Sequence, residues 1–444
     1  MKKLPLTLLS LILTAAAANG DNTFIKGQLS GSRIYPGTTH SFEVSVPDAY
    51  DGRTPACLYI GLDGQLCDAA NVMETLYKSG EMPLTIGVFL QPGVISAADG
   101  EVLRYNRSNE FDSTDPRFAE FIETELLPAV RALRTDDGRQ IALSDRAADR
   151  MIFGLSSGGI AAFTAAWHRP DLFSKVFSGC GTFVPMRGGN DLQAIVRKTE
   201  PKPLRICLQD GYDDAWNPLF GSWFEANAML GTALEFAGYD VMLDWGEGVH
   251  SVKRANEIFA DVMRWMWRDH PADISIRPTS NNYLKPLLVE GAVWQAVKTP
   301  DNADKMILRS AVYPDGRHAV SVSEGSNSLT QSIITADGDA VYSQPFYWLH
   351  NFDNCLLAIG GMTFDGDGNL WTVTDAGIQV CDQNGRVRGI IGLPHGIKAG
   401  RTAINIGDGR VTVVELGKKP RAFSRRFNIK AAQRGVRPPS QGQA

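Results

Sequence analysis

The sequence predicts an α/β fold with a doubly wound, mostly parallel sheet, followed by a smaller all-β domain. Between residues 40 and 270, short apolar runs suited to buried strands alternate with segments whose apolar residues recur at helical spacing. Strands interleaved with helices favour an open, mostly parallel sheet that is covered on both faces. After residue 269 the pattern changes to short strands separated by turn sequences such as Pro-Asp-Gly (314–316) and Gln-Asn-Gly (383–385).

The first domain is predicted over residues 22–272. Its apolar runs at 57–62 and 84–90 are typical of strands buried on both faces, and apolar side chains at 118–133 mark one face of a helix. Further strands are predicted at 42–46, 151–153, 175–177, 204–208 and 241–245. Further helices are predicted at 159–167, 223–236 and 253–267. In sheets of this kind, ligand sites lie outside the carboxyl ends of the strands.

The second domain is predicted over residues 285–430, after a linker at 273–284. Short strands at 362–364, 370–374, 377–381 and 387–391 would form one four-stranded antiparallel sheet, the size of a β-propeller blade. Residues 311–346 predict a second such sheet, and a weaker third unit runs to about residue 429. Because closed propellers have four to eight blades, this pattern predicts a partial propeller. The Pro/Gly/Gln-rich tail at 431–444 is predicted to be disordered.

The N-terminus predicts export. Lys2 and Lys3 precede an apolar run at 6–13 and small residues at 15–18, the pattern of a signal peptide over residues 1–18. The run is shorter than the roughly 20 residues of a membrane-spanning helix, so we expect no membrane insertion and a periplasmic or extracellular location. The net charge of −5 gives no electrostatic argument for nucleic acid as a partner. The oligomeric state is left open.

A nucleophile is predicted in the turn between a strand and a helix. Residues 154–158 (GLSSG) fit G-x-S-x-G, the sharp turn that exposes a serine above a parallel sheet. In this register Ser156 is the nucleophile. The backbone N–H of Ser157 would help to bind an oxyanion, assisted by the helix dipole. The alternative is a Gly/Ser-rich turn without chemistry.

An acid and a base follow in the order that this arrangement requires. Asp210, Asp213 and Asp214 follow the strand at 204–208, and His250 follows the strand at 241–245. A serine hydroxyl needs a base to become nucleophilic, and an imidazole needs a carboxylate to fix its tautomer and stabilise its cation. A surface histidine is the alternative for His250, and the choice among the three aspartates stays open.

The residues from 32 to 269 resemble the esterase D / enterochelin-esterase-like group of α/β-hydrolases, which includes feruloyl and acetyl-xylan esterases. The matching segments include YPGTTHSFEVSVP (35–47), DGQ (63–65), RSNEFD (107–112), GLSSGGIAAFTAAWHRPDLFSKV (154–176) and LQDGYDD (208–214). The resemblance covers nearly all of the first domain.

This resemblance implies a role for each candidate residue. It implies Ser156 as nucleophile, His250 as base and Asp214 as the acid that orients the base. It also implies that a backbone N–H of Gly64 or Gln65 completes the oxyanion hole. No cofactor is expected for this chemistry.

Two pairs of side chains are candidates for substrate binding. Arg107 and Glu110 follow a predicted strand end, where a structural ion pair is the alternative interpretation. Trp216 and Trp223 lie near the acid loop and could bind a sugar or phenolic ring, although core packing would also explain them.

The segment 360–394 resembles blades of gluconolactonase-like propellers, and residues 290–294 (EGAVW) are similar to a metal-ligand motif of that family. Gly360 stands where the family places a metal-binding aspartate, so we interpret this domain as an accessory module. The six cysteines lack CxxC spacing and accompany no histidine cluster, so no metal site is predicted.

A basic run lies near the C-terminus. Its members are Lys418, Lys419, Arg421, Arg425, Arg426, Lys430, Arg434 and Arg437. An anionic polysaccharide or a membrane surface would suit this run, but a charged edge strand leading into a solvated tail is the simpler interpretation.

The leading hypothesis is an exported serine carboxylic-ester hydrolase that removes feruloyl or acetyl groups from plant polysaccharides or oligosaccharides. Its expected partner is therefore an ester substrate. One alternative is a metal-dependent sugar lactonase in the second domain. Another is a glycan-binding protein whose hydrolase domain is catalytically silent.

Overall fold

The structure, a computed structural model, describes residues 14–15, 22–301, 303, 306, 308–407 and 409–433. The predicted signal peptide lies outside these residues apart from Thr14–Ala15, and most of the predicted tail lies outside them too. No helix within the described part of the chain is both long and apolar enough to cross a membrane.

The chain divides into two compact units. The first runs to Gln193 and resumes over Lys202–Arg277, and the second comprises Ala194–Pro201 and the chain from Pro278 onward. The segment Ala194–Pro201 therefore belongs to the second unit, although it lies inside the predicted first domain.

The first unit is built on a mixed sheet. Its strands are β1 (Thr14–Ala15), β2 (Asn22–Ser30), β3 (Thr39–Pro47), β4 (Cys57–Leu62), β5 (Thr85–Leu90), β6 (Val94–Ser96), β7 (Val102–Tyr105), β8 (Arg150–Leu155), β9 (Lys175–Gly179), β10 (Arg205–Gly211), β11 (Trp216–Asn217), β12 (Gly221–Ser222) and β13 (Asp240–Gly246). The sheet runs in the order β1-β2-β3-β5-β4-β8-β9-β10-β13, and β6 and β7 extend it beside β3. From β5 to β13 all neighbours are parallel, whereas β1, β2 and β3 are antiparallel. The strands β11 and β12 form a separate hairpin.

The helices of the first unit connect these strands. They are α1 (Ala69–Lys78), α2 (Arg107–Phe111), α3 (Arg117–Phe121), α4 (Leu127–Ala132), α5 (Ser157–His168), α6 (Leu192–Lys198), which ends in the second unit, α7 (Trp223–Ala237) and α8 (Lys253–Trp267). A π-helical turn at Ile122–Leu126 joins α3 to α4, so the predicted helix at 118–133 contains a wider turn.

Both faces of the sheet are covered. On one face, Phe153 and Phe177 pack in a core with residues of α1 and α8. The alternate residues Ile152 and Val176 point to the opposite face and are also fully buried. Strands buried on both sides account for the continuous apolar runs in the sequence. The predicted α/β fold is confirmed, with antiparallel strands at one edge of the sheet.

The second unit consists of antiparallel sheets. Its strands are β14 (Gln295–Val297), β15 (Ser310–Val312), β16 (His318–Val322), β17 (Ser328–Ile334), β18 (Ala340–Trp348), β19 (Ile359–Phe364), β20 (Leu370–Thr374), β21 (Gly377–Cys381), β22 (Val387–Ile391), β23 (Thr402–Gly407), β24 (Arg410–Glu415) and β25 (Arg421–Arg426). The described strands pair as β15-β16-β17-β18, β19-β20-β21-β22 and β14-β25-β24-β23. The all-β prediction is confirmed, while the partial propeller stays a prediction.

The second half of the predicted linker is part of the second unit. Asn281 and Leu284 are buried, and the Asn281 side-chain amide donates to the Arg388 carbonyl oxygen at 2.9 Å. Leu284 packs in a core with Trp371 and Phe427. Residues that bury apolar surface in this way stabilise a fold and do not act as a free spacer.

Candidate active site

Ser156 lies at the tip of the turn between β8 and α5. Its backbone has φ +58° and ψ −122°, a strained conformation for a residue with a Cβ atom. Its N–H donates to the Gly179 carbonyl at 2.9 Å, and its own carbonyl accepts from Gly159 at 2.9 Å and from Thr182 at 3.1 Å. These hydrogen bonds hold the strained residue in place, and the geometry is that of the turn predicted from GLSSG.

Two glycines around Ser156 allow the turn to pack. A Cβ atom at Gly154 would lie 2.2 Å from the Gly158 carbonyl oxygen. A Cβ atom at Gly158 would lie 3.1 Å from a carboxylate oxygen of Asp63. The first position can hold only glycine without a shift of the backbone, which explains the G-x-S-x-G spacing at this site.

The structure brings Ser156, His250 and Asp214 into one hydrogen-bonded chain. The Ser156 hydroxyl donates to Nε2 of His250 at 2.9 Å, and Nδ1–H of His250 donates to Oδ1 of Asp214 at 2.6 Å. Asp214 follows β10 and His250 follows β13, so the three residues meet at the carboxyl ends of three parallel strands, β8, β10 and β13, of one sheet. The His250 side chain is 34% exposed while that of Asp214 is fully buried, so substrate could reach the base but not the acid.

Of the three candidate aspartates, only Asp214 contacts the imidazole in this structure. Asp213 is exposed, and its N–H donates to the Gly248 carbonyl. Asp210 is fully buried, and its Oδ1 accepts the N–H of Gly211 at 2.8 Å. The distance between side chains therefore separates three residues that the sequence leaves equivalent.

Asp210 and Asp214 form a buried carboxyl pair. The Oδ2 atoms of both are buried, and neither meets a donor group elsewhere in the described residues. Burial, together with the hydrogen bond to and the charge of Asp214, raises the pKa of Asp210 to about 9. Burial alone would raise the pKa of Asp214, but hydrogen bonds from His250, Asp210 and the Ala215 N–H hold it below its ordinary value. We therefore expect Asp210 to be protonated at neutral pH and to donate to the Asp214 carboxylate.

Thr182 belongs to the site but was not predicted from the sequence. Its Oγ1 lies 3.4 Å from Oγ of Ser156 and accepts the indole N–H of Trp223 at 3.3 Å. The ring of Trp223 is nearly buried and stands edge-on to His250, with the centroids 6.2 Å apart. Trp223 thus forms a wall of the site. The signal for Thr182 was its place just beyond the carboxyl end of β9.

The oxyanion-binding groups are only partly as predicted. Ser157 is the first residue of α5, where a backbone N–H has no partner within the helix. The N–H of Gly64 instead donates to the Leu90 carbonyl oxygen at 3.1 Å, so it is not free to bind an oxyanion. The prediction for Gly64 is therefore wrong, and Gln65 stays the predicted second donor.

Arg107 fixes the loop that carries Gln65. Its Nε and Nη2 donate to the two carboxylate oxygens of Asp63, both at 2.7 Å. Nη2 also lies 3.5 Å from the Leu155 carbonyl oxygen, next to Ser156. A bidentate pair of this kind restrains orientation as well as distance. The sequence did not indicate that Asp63 would be the partner of Arg107.

Glu110 has a structural role. Its side chain is fully buried and faces Nε2 of His40 at 3.0 Å. It also accepts the N–H of Gly93 at 3.1 Å and a side-chain N–H of Asn106 at 2.7 Å. Of the two interpretations given for Glu110, the structure favours the structural one, with His40 rather than Arg107 as the partner. An enclosed carboxyl group of this kind does not fit the substrate-binding interpretation.

The side chains around the metal-ligand motif of the second unit do not fit a cation. Glu290 lines a cavity whose other charged members are all arginines: Arg410, Arg425 and Arg426. Positive charges that line the same cavity oppose the binding of a cation. A Cβ atom at Gly360 would lie 2.2 Å from the Ala399 carbonyl oxygen, so the aspartate that a metal site would need does not fit there.

Comparison with known proteins places the chain in a family. The Esterase family, described as "Putative esterase", matches residues 35–320. A solved structure of a ferulic acid esterase is 17% identical to this chain, with a TM-score of 0.42. The matched region covers 56% of this chain and 99% of the ferulic acid esterase chain. No curated protein sequence matches the chain.

Two further solved structures are similar. The enterobactin esterase FES from Shigella flexneri is 19% identical, with a TM-score of 0.42. The matched region covers 60% of this chain and 61% of the FES chain. An S-formylglutathione hydrolase from Agrobacterium tumefaciens is 18% identical, with a TM-score of 0.40. The matched region covers 58% of this chain and 98% of the hydrolase chain. Because the family match extends over more than half of the chain, the protein belongs to the Esterase family and is a carboxylic ester hydrolase with the α/β-hydrolase fold.

Proposed function

We propose that the protein is an exported serine esterase that removes feruloyl or acetyl groups from plant polysaccharides or oligosaccharides. The observation that carries the proposal is the continuous hydrogen-bonded chain from Ser156 through His250 to Asp214, with distances of 2.9 and 2.6 Å. This chain is what a hydroxyl needs in order to lose its proton to a base as it attacks a carbonyl carbon.

The reaction proceeds through an acyl-enzyme. Oγ of Ser156 attacks the ester carbonyl carbon while Nε2 of His250 takes its proton, and the carboxylate of Asp214 stabilises the resulting imidazolium. The N–H of Ser157, with Gln65 as the second donor, binds the oxyanion of the tetrahedral intermediate. The imidazolium then protonates the leaving alcohol oxygen. Water, deprotonated by His250, attacks the acyl-enzyme and releases the acid and free Ser156.

Labelling with a fluorophosphonate tests the nucleophile directly. We expect one covalent adduct on the intact enzyme, located by mass spectrometry on Ser156. A His250→Ala variant should form the adduct at least about 100-fold more slowly, since general-base catalysis contributes roughly 10²–10⁴-fold. An adduct on Ser157 or on any other serine, with Ser156 unmodified, would contradict the assignment.

An apolar rim supports a ring-bearing substrate. Large apolar side chains are exposed in the loops that carry the acid and the base: Tyr212, Trp216, Leu219 and Val249. Exposed apolar side chains on the loops that carry Asp214 and His250 are candidates for contact with a ligand. An acetyl group is too small to use such a rim, whereas a feruloyl ring or a sugar ring can stack there. The rim therefore favours feruloyl esters of glycans.

Replacing Trp216 with alanine should separate substrates that reach the rim from those that do not. Trp216 is 71% exposed, so its loss should leave the core intact. We expect KM for methyl ferulate to rise about tenfold, equal to ~1.4 kcal/mol of lost ring contact, with kcat little changed. Both constants for p-nitrophenyl acetate should stay within about twofold.

Trp348, which is 67% exposed on β18 of the second unit, provides the matched control. The variant Trp348→Ala should hydrolyse both substrates as the wild type does. Equal losses on both substrates in Trp216→Ala would assign Trp216 to structure rather than to binding.

The predicted signal peptide at 1–18 supports export, so the enzyme would meet its glycan substrate in the periplasm or outside the cell. The second unit is an accessory module of the gluconolactonase-like kind. Its antiparallel sheets are compatible with that resemblance, and Ser156, His250 and Asp214 all belong to the first unit.

A further inference from the structure

The second unit contains a cavity of about 220 Å³ with a positively charged lining. It lies beside the segment before β14 and the facing strands β24 and β25. The polar side chains that line it are Glu290, Gln295, Arg410, Ser424, Arg425 and Arg426. Its volume is below the roughly 300–1,000 Å³ of pockets for drug-sized molecules, so it suits a ligand of about one sugar residue.

Two of these arginines stand opposite each other on adjacent strands. Arg410 and Arg426 are direct neighbours in the antiparallel register of β24 and β25. Like charges in opposite positions on two strands destabilise a sheet unless something neutralises them. Among the residues that the structure describes, neither arginine forms an ion pair with a carboxylate. An anion between the two guanidinium groups would remove the repulsion.

The third arginine is held in place by another carboxylate. The guanidinium of Arg425 pairs with Glu200 at 2.8 Å, and Glu200 also accepts the N–H of Gly392 at 2.8 Å. Nε of Arg425 is buried and has no partner among the described residues. The lining contains three arginines and one carboxylate, that of Glu290, and Arg425 pairs with Glu200 outside the lining. Once Glu200 is counted, one excess positive charge remains, which matches a ligand with one negative charge.

We infer that this cavity binds the carboxylate of a uronic acid residue. Arg410 and Arg426 bind the carboxylate, since guanidinium groups match its geometry and keep their charge at any working pH. The Glu290 carboxylate and the Gln295 amide offer acceptors and donors for sugar hydroxyls. The second unit would then hold an acidic glycan independently of the chemistry at Ser156.

Calorimetric titration of the full chain tests this inference with a matched ligand pair. D-Galacturonate and D-galactose differ only at C6, where one has a carboxylate and the other a neutral hydroxymethyl group. We expect saturable binding of galacturonate, tighter binding of trigalacturonate, and no binding of galactose. Affinity for galacturonate should fall as salt is raised, because the site is open to solvent.

Substitutions in the cavity provide a second test of the inference. Arg410→Gln and Arg426→Gln should each weaken galacturonate binding at least about tenfold, the effect of removing one charged hydrogen-bonding group. Arg317→Gln removes one exposed charge from the same unit outside the cavity and should bind as the wild type does. Without ligand, Arg410→Gln and Arg426→Gln should keep or slightly raise the wild-type thermal midpoint, because each removes the repulsion between the two guanidinium groups, whereas Arg317→Gln should leave it unchanged. All three variants should keep the wild-type rate on p-nitrophenyl acetate.

Three results would overturn the inference: no binding of galacturonate, equal binding of galactose and galacturonate, or galacturonate affinities of Arg410→Gln and Arg426→Gln that equal that of Arg317→Gln. Inorganic phosphate that binds more tightly than galacturonate would show a phosphate site instead and would also overturn it. Because Ser156→Ala should still bind galacturonate, this outcome is separate from the fate of the proposed esterase function.

Discussion

Replacing Ser156 with alanine should lower kcat for p-nitrophenyl acetate and methyl ferulate by about 10⁴-fold or more. The alanine variant has no oxygen to attack the ester carbonyl carbon, so the acyl-enzyme cannot form. Substrate should still bind, because the rim and the backbone donors remain. We therefore expect KM to change little, and the measurement is steady-state hydrolysis of both esters.

The neighbouring serine is the matched control. Ser157→Ala removes a nearly buried hydroxyl but keeps the backbone N–H at the start of α5 that is assigned to oxyanion binding. Its kcat should stay within about tenfold of the wild-type value. The contrast arises because the hydroxyl of Ser156, not that of Ser157, donates to His250. Near wild-type rates in Ser156→Ala would refute the proposed mechanism.

The part of the fold predicted best is the segment that carries Ser156. A strand and a helix were predicted at 151–153 and 159–167, and the structure has β8 at Arg150–Leu155 and α5 at Ser157–His168. Local signals agree there, since an apolar run ends at small residues that only a tight turn requires. Agreement between local and global preferences makes a segment predictable.

The helix α1 is not among the predicted helices, although its residues are good helix formers with apolar side chains at helical spacing. It begins after Asp68, which has left-handed backbone angles and provides no side-chain cap. Ala69, Met73 and Leu76 are buried in one core with residues of α8, about 180 positions later in the sequence. Ala194–Pro201 is a different case, since its place in the second unit follows from packing and not from local sequence.

The candidate site shows the same division. Ser156 and His250 could be predicted because each follows a strand end in a recognisable order. Thr182 and Asp63 were not identified, since their roles follow from contacts in space, those of Thr182 with Ser156 and Trp223 and that of Asp63 with Arg107. The choice among Asp210, Asp213 and Asp214 also needs distances.

Changing Asp214 to asparagine should lower kcat about 10⁴-fold. An asparagine carries no charge, so it cannot stabilise the imidazolium of His250, and its amide can hold the ring in the wrong tautomer. The same chemical change at Asp210 should leave kcat at neutral pH within about threefold of wild type. Asp210 is already neutral there, and an asparagine can donate to Asp214 as the protonated carboxyl does. Equal losses in the two variants would mean that Asp210 is the charged partner, contrary to the geometry.

The pH dependence makes the pair of variants decisive. Because burial and Asp214 raise the pKa of Asp210 to about 9, its ionisation at alkaline pH would place two negative charges side by side in a closed site. We expect kcat/KM for methyl ferulate to fall in the wild type as pH passes about 9, and to stay level in Asp210→Asn.

Stability should follow the same proton, with a sign that linkage fixes. A carboxyl whose folded pKa is raised stabilises the fold most below its unfolded pKa of about 4, and this contribution is lost as pH rises toward about 9. Asparagine does not titrate, so Asp210→Asn does not lose this contribution. Its free energy of unfolding should therefore rise relative to that of the wild type as pH increases across this range. Chemical denaturation at pH 5, 7 and 9 measures the difference. A difference that is independent of pH would show that Asp210 is ionised in the folded protein, and the account of Asp214 as the single charged acid would then be wrong.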